Sequence, residues 1–242
     1  MKAYTYSLIL LLAVIIPFLA SFNRRVLFSR YFGAFFKAAT LVAIAFIAWD
    51  VWFTASGVWW FNTDYTLGLT IAGLPIEEWL FFYCIPFSCV FTYFCFDKFL
   101  RLNWLAMFNN LVVFVTVIVS SVVALLYYHK VYTLVTAVAA VATLLYLHFI
   151  ARADWIGKGS LVFIILMAGF IPVNGVLTGA GLEAPIVNYN PKDILGRRMG
   201  TIPIEDVLYG YTQFLLVLYF FNVFKRRSDE GKKYDSINHT VH

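Results

Sequence analysis

Charge is scarce in this chain. Only 13% of its 242 residues are Asp, Glu, Lys or Arg, against 62% hydrophobic, and the mean hydropathy is +0.81. A soluble domain of this size has too little interior to hide that much apolar surface, so a water-soluble globular protein is excluded. Cysteine is scarce too. Cys84, Cys89 and Cys95 fall at spacings of five and six, with no C-x-x-C and no neighbouring His, which leaves apolar packing as their role. His129, His148, His239 and His242 are scattered, so no metal site is expected. Glycine forms no dinucleotide fingerprint: Gly157-Lys158-Gly159 lacks the third glycine and precedes an apolar stretch. No flavin, nicotinamide or other cofactor is expected.

What the chain has in quantity is aromatic rings and long apolar runs. Phe, Tyr and Trp make up 19% of it, more than membrane residence alone requires. Apolar stretches long enough to cross a hydrocarbon core of about 30 Å as helix fall at about 4–21, 33–54, 76–96, 106–128, 131–150, 160–178 and 203–224. The fold class is therefore all-α, a polytopic membrane protein with seven transmembrane helices. The fourth and fifth, separated only by His129 and Lys130, are expected to form a tight hairpin. The first lacks an A-x-A-like cleavage site and is followed by Arg24 and Arg25, so it is expected to remain as an anchor. Thirteen of the 18 Lys and Arg residues fall on one side if the N-terminus is outside, which predicts an outer N-terminus and a cytoplasmic C-terminus. The net charge of +5 then reflects topology and anionic lipid, and no nucleic-acid partner is implied. Short inner loops fit a bacterial inner membrane.

The chain repeats itself. Pro75-Ile76-Glu77-Glu78 returns as Pro203-Ile204-Glu205-Asp206, an offset of 128 that also pairs Asn62 with Asn190, Leu67 with Leu195 and Gly68 with Gly196. Upstream an offset of 124 pairs Asp50 with Asn174, Thr54 with Thr178 and Gly57 with Gly181, and a four-residue insertion near Leu182 to Pro185 reconciles the two. The unit is three helices, with helices 1–3 matching 5–7. Residues 1–104 form the first repeat, 105–130 the linker helix, 131–224 the second repeat and 225–242 a disordered cytoplasmic tail. An odd linker crossing sets the repeats parallel, about an axis along the membrane normal.

Acids inside apolar spans cost on the order of 2.5 to 3.5 kcal/mol each, so they are functional candidates. Glu77, Glu78, Glu205 and Asp206 follow a proline that reads as the first helical residue. First-turn acids also complement the helix dipole, but that role does not require the same string twice. Adjacent helical residues point about 100° apart, so one acid from each repeat is expected to meet its counterpart in a shared cavity. Asp50, Trp52, Trp59, Trp60, Asn62, Asn174, Thr178 and Asn190 are the candidate cavity residues. Carboxyls pushed apart by environment into a neutral donor and an ionised partner suit general acid/base chemistry.

The string from Asp50 through Gly57-Val58-Trp59 and Asn62 to Gly73-Leu74-Pro75-Ile76-Glu77-Glu78-Trp79, repeated more weakly from Asn174 to Asp206, resembles the lycopene cyclases of the heterodimeric or fused membrane type. Their mark is a Pro-x-Glu-(Glu/Asp) motif in each of two small membrane units, and this chain looks like the fused form. The resemblance implies redox-neutral cyclisation of the ends of a linear carotenoid, lycopene, drawn from the bilayer, giving γ-carotene and then β-carotene. It places the essential acids at Glu77, Glu78, Glu205 and Asp206. The second repeat departs from the first with Asn174 for Asp50 and Asp206 for Glu78, so unequal halves are expected. The rival reading is a small-solute transporter of the same 3+1+3 plan, whose pathway would carry a Pro-Gln pair where this chain has Pro-Ile. A retinal-binding protein is set aside because no lysine lies between Ile204 and Phe224. Oligomeric state is not assigned.

Overall fold

A computed structural model describes residues 2–239, with side chains through Glu230. The described residues form seven long helices: α1 Thr5–Ala20, α2 Phe32–Ala55, α3 Ile76–Phe99, α4 Asn109–Leu126, α5 Val131–Leu145, α6 Ile156–Leu177 and α7 Ile204–His239. All seven are long and apolar enough to cross a membrane, and each overlaps the stretch the sequence marks for it. In lipid every backbone polar group must be satisfied within its own segment, which is why these runs become helices. The chain is an integral membrane protein. A π-helical turn at Tyr146–Ile150 carries α5 to the expected length. α7 runs to His239, so helical backbone continues through most of the segment expected to be a disordered tail; Thr240 to His242 lie outside the described residues. α4 and α5 pack as the expected hairpin about Tyr127–Lys130.

Three short ribbons decorate the loops. They are β1 Trp59–Phe61 with β4 Val187–Tyr189, β2 Thr70–Ile71 with β3 Leu74–Pro75, and β5 Arg198–Met199 with β6 Ile202–Pro203, all antiparallel. The first joins the two repeats. Its register sets Trp60 opposite Asn188, residues equivalent at the 128 offset, so the pseudo-two-fold axis passes between them. The flanking bonds are reciprocal: Asn62 N–H donates to the Ile186 carbonyl and Asn190 N–H to the Val58 carbonyl, each at 2.8 Å. Val58 and Ile186 are themselves 128 apart, so the four-residue insertion falls before Ile186, where the sequence places it.

The two halves are not packed alike. α2 lies along α7, with Phe46 and Trp49 ring centroids 5.0 and 5.1 Å from that of Tyr209. In the equivalent pairing of α6 with α3, the counterparts of Ala45 and Trp49 are Gly169 and Val173, and α7 carries Gly210 where α3 has Phe82. Bulk that closes one side is missing from the other, and that is where the cavity lies. At the end of the bundle away from the ribbons an aromatic cluster seals it, with Phe28 at 5.2 to 6.0 Å from Phe32, Phe87, Phe91, Phe94 and Phe221.

Candidate active site

Each acid motif is delivered by a ribbon that turns into a helix. At the tip of the first, Ala72 (φ 53°) and Gly73 (φ 82°) are both left-handed, as a two-residue turn between paired strands requires. Pro75 (φ −62°, ψ 149°) stands at the cap position, one place before the helical position expected for it, and α3 begins at Ile76. The Ile76 N–H is engaged outside the helix, donating to the Leu69 carbonyl at 2.9 Å, and Ile204 repeats this with Arg197 at 3.0 Å.

The two acids of each pair then diverge, as their angular separation on a helix demands. Glu77 turns back to its loop, where its Oε1 accepts from Leu67 N–H at 2.7 Å and from the Ser7 hydroxyl at 3.2 Å. Glu205 Oε1 does the same with Leu195 N–H and the Thr133 hydroxyl, both at 2.6 Å. Neither Glu77 nor Glu205 lines the cavity. Glu78 and Asp206 do, and both are buried. Glu78 Oε2 accepts from the Tyr6 hydroxyl at 2.6 Å and lies within hydrogen-bonding reach of Asp50, whose Oδ1 accepts from the Tyr209 hydroxyl at 2.9 Å. Asp206 accepts three bonds, from Tyr132 at 2.7 Å on Oδ1 and from Asn174 at 2.8 Å and Tyr189 at 2.7 Å on Oδ2. Burial, followed by the charge of Asp206, pushes the Tyr189 phenol well above its ordinary value, so it stays a donor.

The cavity measures about 200 Å³. Its polar end holds Asp50, Glu78, Asp206, Asn174 and the four tyrosines; its apolar arm runs between α1, α3, α6 and α7 past Pro86, Cys89, Leu166 and Phe170. From Glu78 to Cys89 is about 16 Å of helix rise. Ten of the rings, Tyr6, Trp59, Phe61, Phe81, Tyr132, Phe163, Phe170, Tyr189, Tyr209 and Phe214, line it. Part of the aromatic surplus therefore forms cavity wall, and another part forms the Phe cluster around Phe28.

Of the candidate cavity residues, Asp50, Asn174 and Trp59 line the cavity. Trp60 does not: side chains alternate along a strand, so Trp59 and Phe61 point in and Trp60 is 48% exposed. Trp52 stands two helical positions from Asp50, on the outward face of α2, and is 52% exposed. Asn62 and Asn190 are spent on loop backbone, each Oδ1 accepting from the N–H two residues on, Asp64 and Lys192, while Asn190 Nδ2 also donates to the Gly57 carbonyl at 3.3 Å. Thr178 is buried against the Asn174 carbonyl and the Thr201 hydroxyl. Tyr6, Ser7, Tyr132, Thr133, Tyr189 and Tyr209 lie outside the Pro-Ile-acid-acid motifs and are not among the candidate residues. A signal exists for four of them, since Tyr6-Ser7-Leu8 returns as Tyr132-Thr133-Leu134 at an offset of 126.

Fold and site define a membrane-integral protein whose two parallel three-helix repeats enclose one acid-ended apolar cavity. A family model described as lycopene cyclase matches residues 3–96 and 129–224, the two repeats. Comparison with curated proteins and with solved structures found no match. The chain belongs to the lycopene cyclase family. It is an enzyme of carotenoid cyclisation, with a carotenoid as substrate and lipid as surroundings.

Proposed function

We propose that the protein is a lycopene β-cyclase, closing the ends of lycopene to β-ionone rings by way of monocyclic γ-carotene. In class it is an intramolecular lyase, an isomerase, because the ring forms with no change in composition. The observation that carries the reading is the convergence of Glu78 and Asp206, one from each repeat, on the polar end of one apolar cavity. A carboxyl at that end protonates C2 of the terminal C1=C2 double bond, and the C5=C6 bond attacks the C1 cation. Loss of the C6 proton leaves the β ring. Aromatic walls suit a carbocation and keep out water that would trap it as an alcohol. A cavity of about 200 Å³ suits one end of a long polyene, entering sideways from lipid. Glu78, Asp206 and Asp50 are the reacting or charge-bearing groups. Glu77 and Glu205 position them by holding the loops that lead into α3 and α7. With the N-terminus outside, the acids lie near the outer face of a bacterial inner membrane.

The test is expression in a lycopene-producing bacterium with pigment analysis. Bicyclic β-carotene is the expected product, and unchanged lycopene beside intact, membrane-inserted protein would overturn the reading.

A further inference from the structure

We propose that Asp50 and Glu78 share one proton and together are the acid of the reaction, while Asp206 remains an anion and faces the carbocation. The assignment rests on the cyclase reading and divides the work within it. Both repeats set the second acid of the motif beside a tyrosine from the first helix of the unit, Tyr6 for Glu78 and Tyr132 for Asp206. The repeats differ in what the second helix supplies. Asn174 donates an N–H to Asp206 at 2.8 Å. Asp50 has no N–H to give, and it lies within hydrogen-bonding reach of Glu78. Two carboxyl groups bond each other only through an O–H held between them, and like charges so close cannot both persist. One amide-for-acid difference between the repeats therefore separates a proton-carrying pair from an anion.

The remaining donors agree. Each member of the pair accepts one tyrosine hydroxyl, Tyr6 on Glu78 and Tyr209 on Asp50, which leaves oxygens for the shared proton and for substrate. Both oxygens of Asp206 are engaged, by three neutral donors and no acid. A carboxyl that accepts on both oxygens and gives on neither is held as carboxylate. No Lys, Arg or His among the described residues lines the cavity, and Arg198 sits over the Tyr189 ring from outside it. The Asp206 charge therefore has no fixed cation in the cavity and is free for one formed in the substrate.

The steps balance. The pair's O–H gives its proton to C2, leaving both carboxyls ionised beside the C1 cation. The C5=C6 π electrons form the C1–C6 bond and move the cation to C5. The C6 proton goes back to the pair, and the electrons of its C–H bond form the C5=C6 bond of the ring. Asp206 keeps its charge throughout.

The test uses the full chain in lipid vesicles loaded with lycopene, with infrared spectra of the same samples. Asp50→Asn mimics the second repeat, so it should insert normally and lose turnover by about 100-fold or more, the contribution of a general acid. The carbonyl band of a protonated carboxyl should be present in wild type, absent in Asp50→Asn and retained in Asp206→Asn. Asp206→Asn should lose turnover and also bind an ammonium analogue of the C1 cation more weakly than wild type, as read by direct binding. If Asp50→Asn does not insert, Asn174→Asp takes its place, since an acid beside Asp206 should strengthen the band and lower turnover. Near-normal turnover in Asp50→Asn, or a band lost in Asp206→Asn instead, would overturn the proposal. A wild-type protein that forms no ring would overturn the cyclase reading, while the band, which needs no substrate, would still judge the shared proton.

Discussion

Tyr6 and Tyr132 stand at equivalent places in the two repeats and make the same bond, each donating its hydroxyl to the second acid of a Pro-Ile-acid-acid motif, at 2.6 and 2.7 Å. The next residue along, Ser7 or Thr133, bonds the first acid. One two-residue unit thus ties α1 to α3 and α5 to α7 at the polar end of the cavity. The ties use all four acids, but only Glu78 and Asp206 are presented to a ligand.

Removing a tie to the anion should reduce catalysis before it reduces folding. Tyr132→Phe deletes one of three donors to Asp206, and a hydrogen bond to a charged group is worth about 1.5 to 3 kcal/mol. Turnover of vesicle-reconstituted protein should fall by roughly ten- to a hundredfold, with the amount of inserted protein unchanged. Tyr132→Phe combined with Tyr189→Phe should fall further than either alone. Equal activity of all three variants would show that donors to Asp206 do not matter to the reaction.

The first acids should behave differently from the second. Glu205 holds Leu195 N–H and Thr133, and leaving those buried groups unpaired should cost about 1 to 3 kcal/mol. Glu205→Ala should therefore lower the melting temperature and open the loop before α7 to protease. In Glu205→Gln the amide oxygen can still accept both bonds, so the fold should be retained. If Glu205→Ala melts and resists protease like wild type, the loop is held by something else.

The sequence carried most of the fold because its strongest signals are physical costs. Seven apolar runs have no alternative to spanning helices, and paired acids in such runs stand out against their surroundings. The repeat located Glu78 and Asp206, and with them Asp50 and Asn174. It did not separate Glu78 from Glu77, because adjacent residues differ only in direction round the helix, and direction depends on how the helix is docked. Trp52 and Trp60 looked like cavity residues for the same reason: one is a fraction of a helical turn away from Asp50, the other one strand position from Trp59. The tyrosines went unread because a hydroxyl on an aromatic ring is unremarkable among 15 Tyr, until an acid is found at its end.

The cavity itself exists because small residues replace large ones in the second repeat, and it should close if they are restored. Val173→Trp gives α6 the side chain that Trp49 supplies to α2. It should fill the polyene arm, which is open space and not packed core, so the cost of overpacking is avoided. The variant should insert and melt near wild type, yet retain no carotenoid on purification and form no ring. Retention of carotenoid at the wild-type level would mean that the polyene lies elsewhere.

The Lys and Arg bias predicts which side of the membrane the acids face. α3 and α7 both begin at the acid motifs, and the β1–β4 ribbon that joins the repeats lies at that same end. Thirteen of the 18 Lys and Arg residues belong to the opposite side, including Arg24, Arg25, Lys98, Lys158, Lys225 and Arg226, and the bias of these residues sets orientation. The acid end should therefore face outward. In a variant lacking the three native cysteines, Leu69→Cys, at a position 63% exposed in the first outer loop, should react with an impermeant maleimide in intact cells. Arg226→Cys, in the exposed inner part of α7, should react only after the membrane is opened. The reverse pattern would place the acids at the cytoplasmic face and overturn the orientation while leaving the cavity chemistry as it stands.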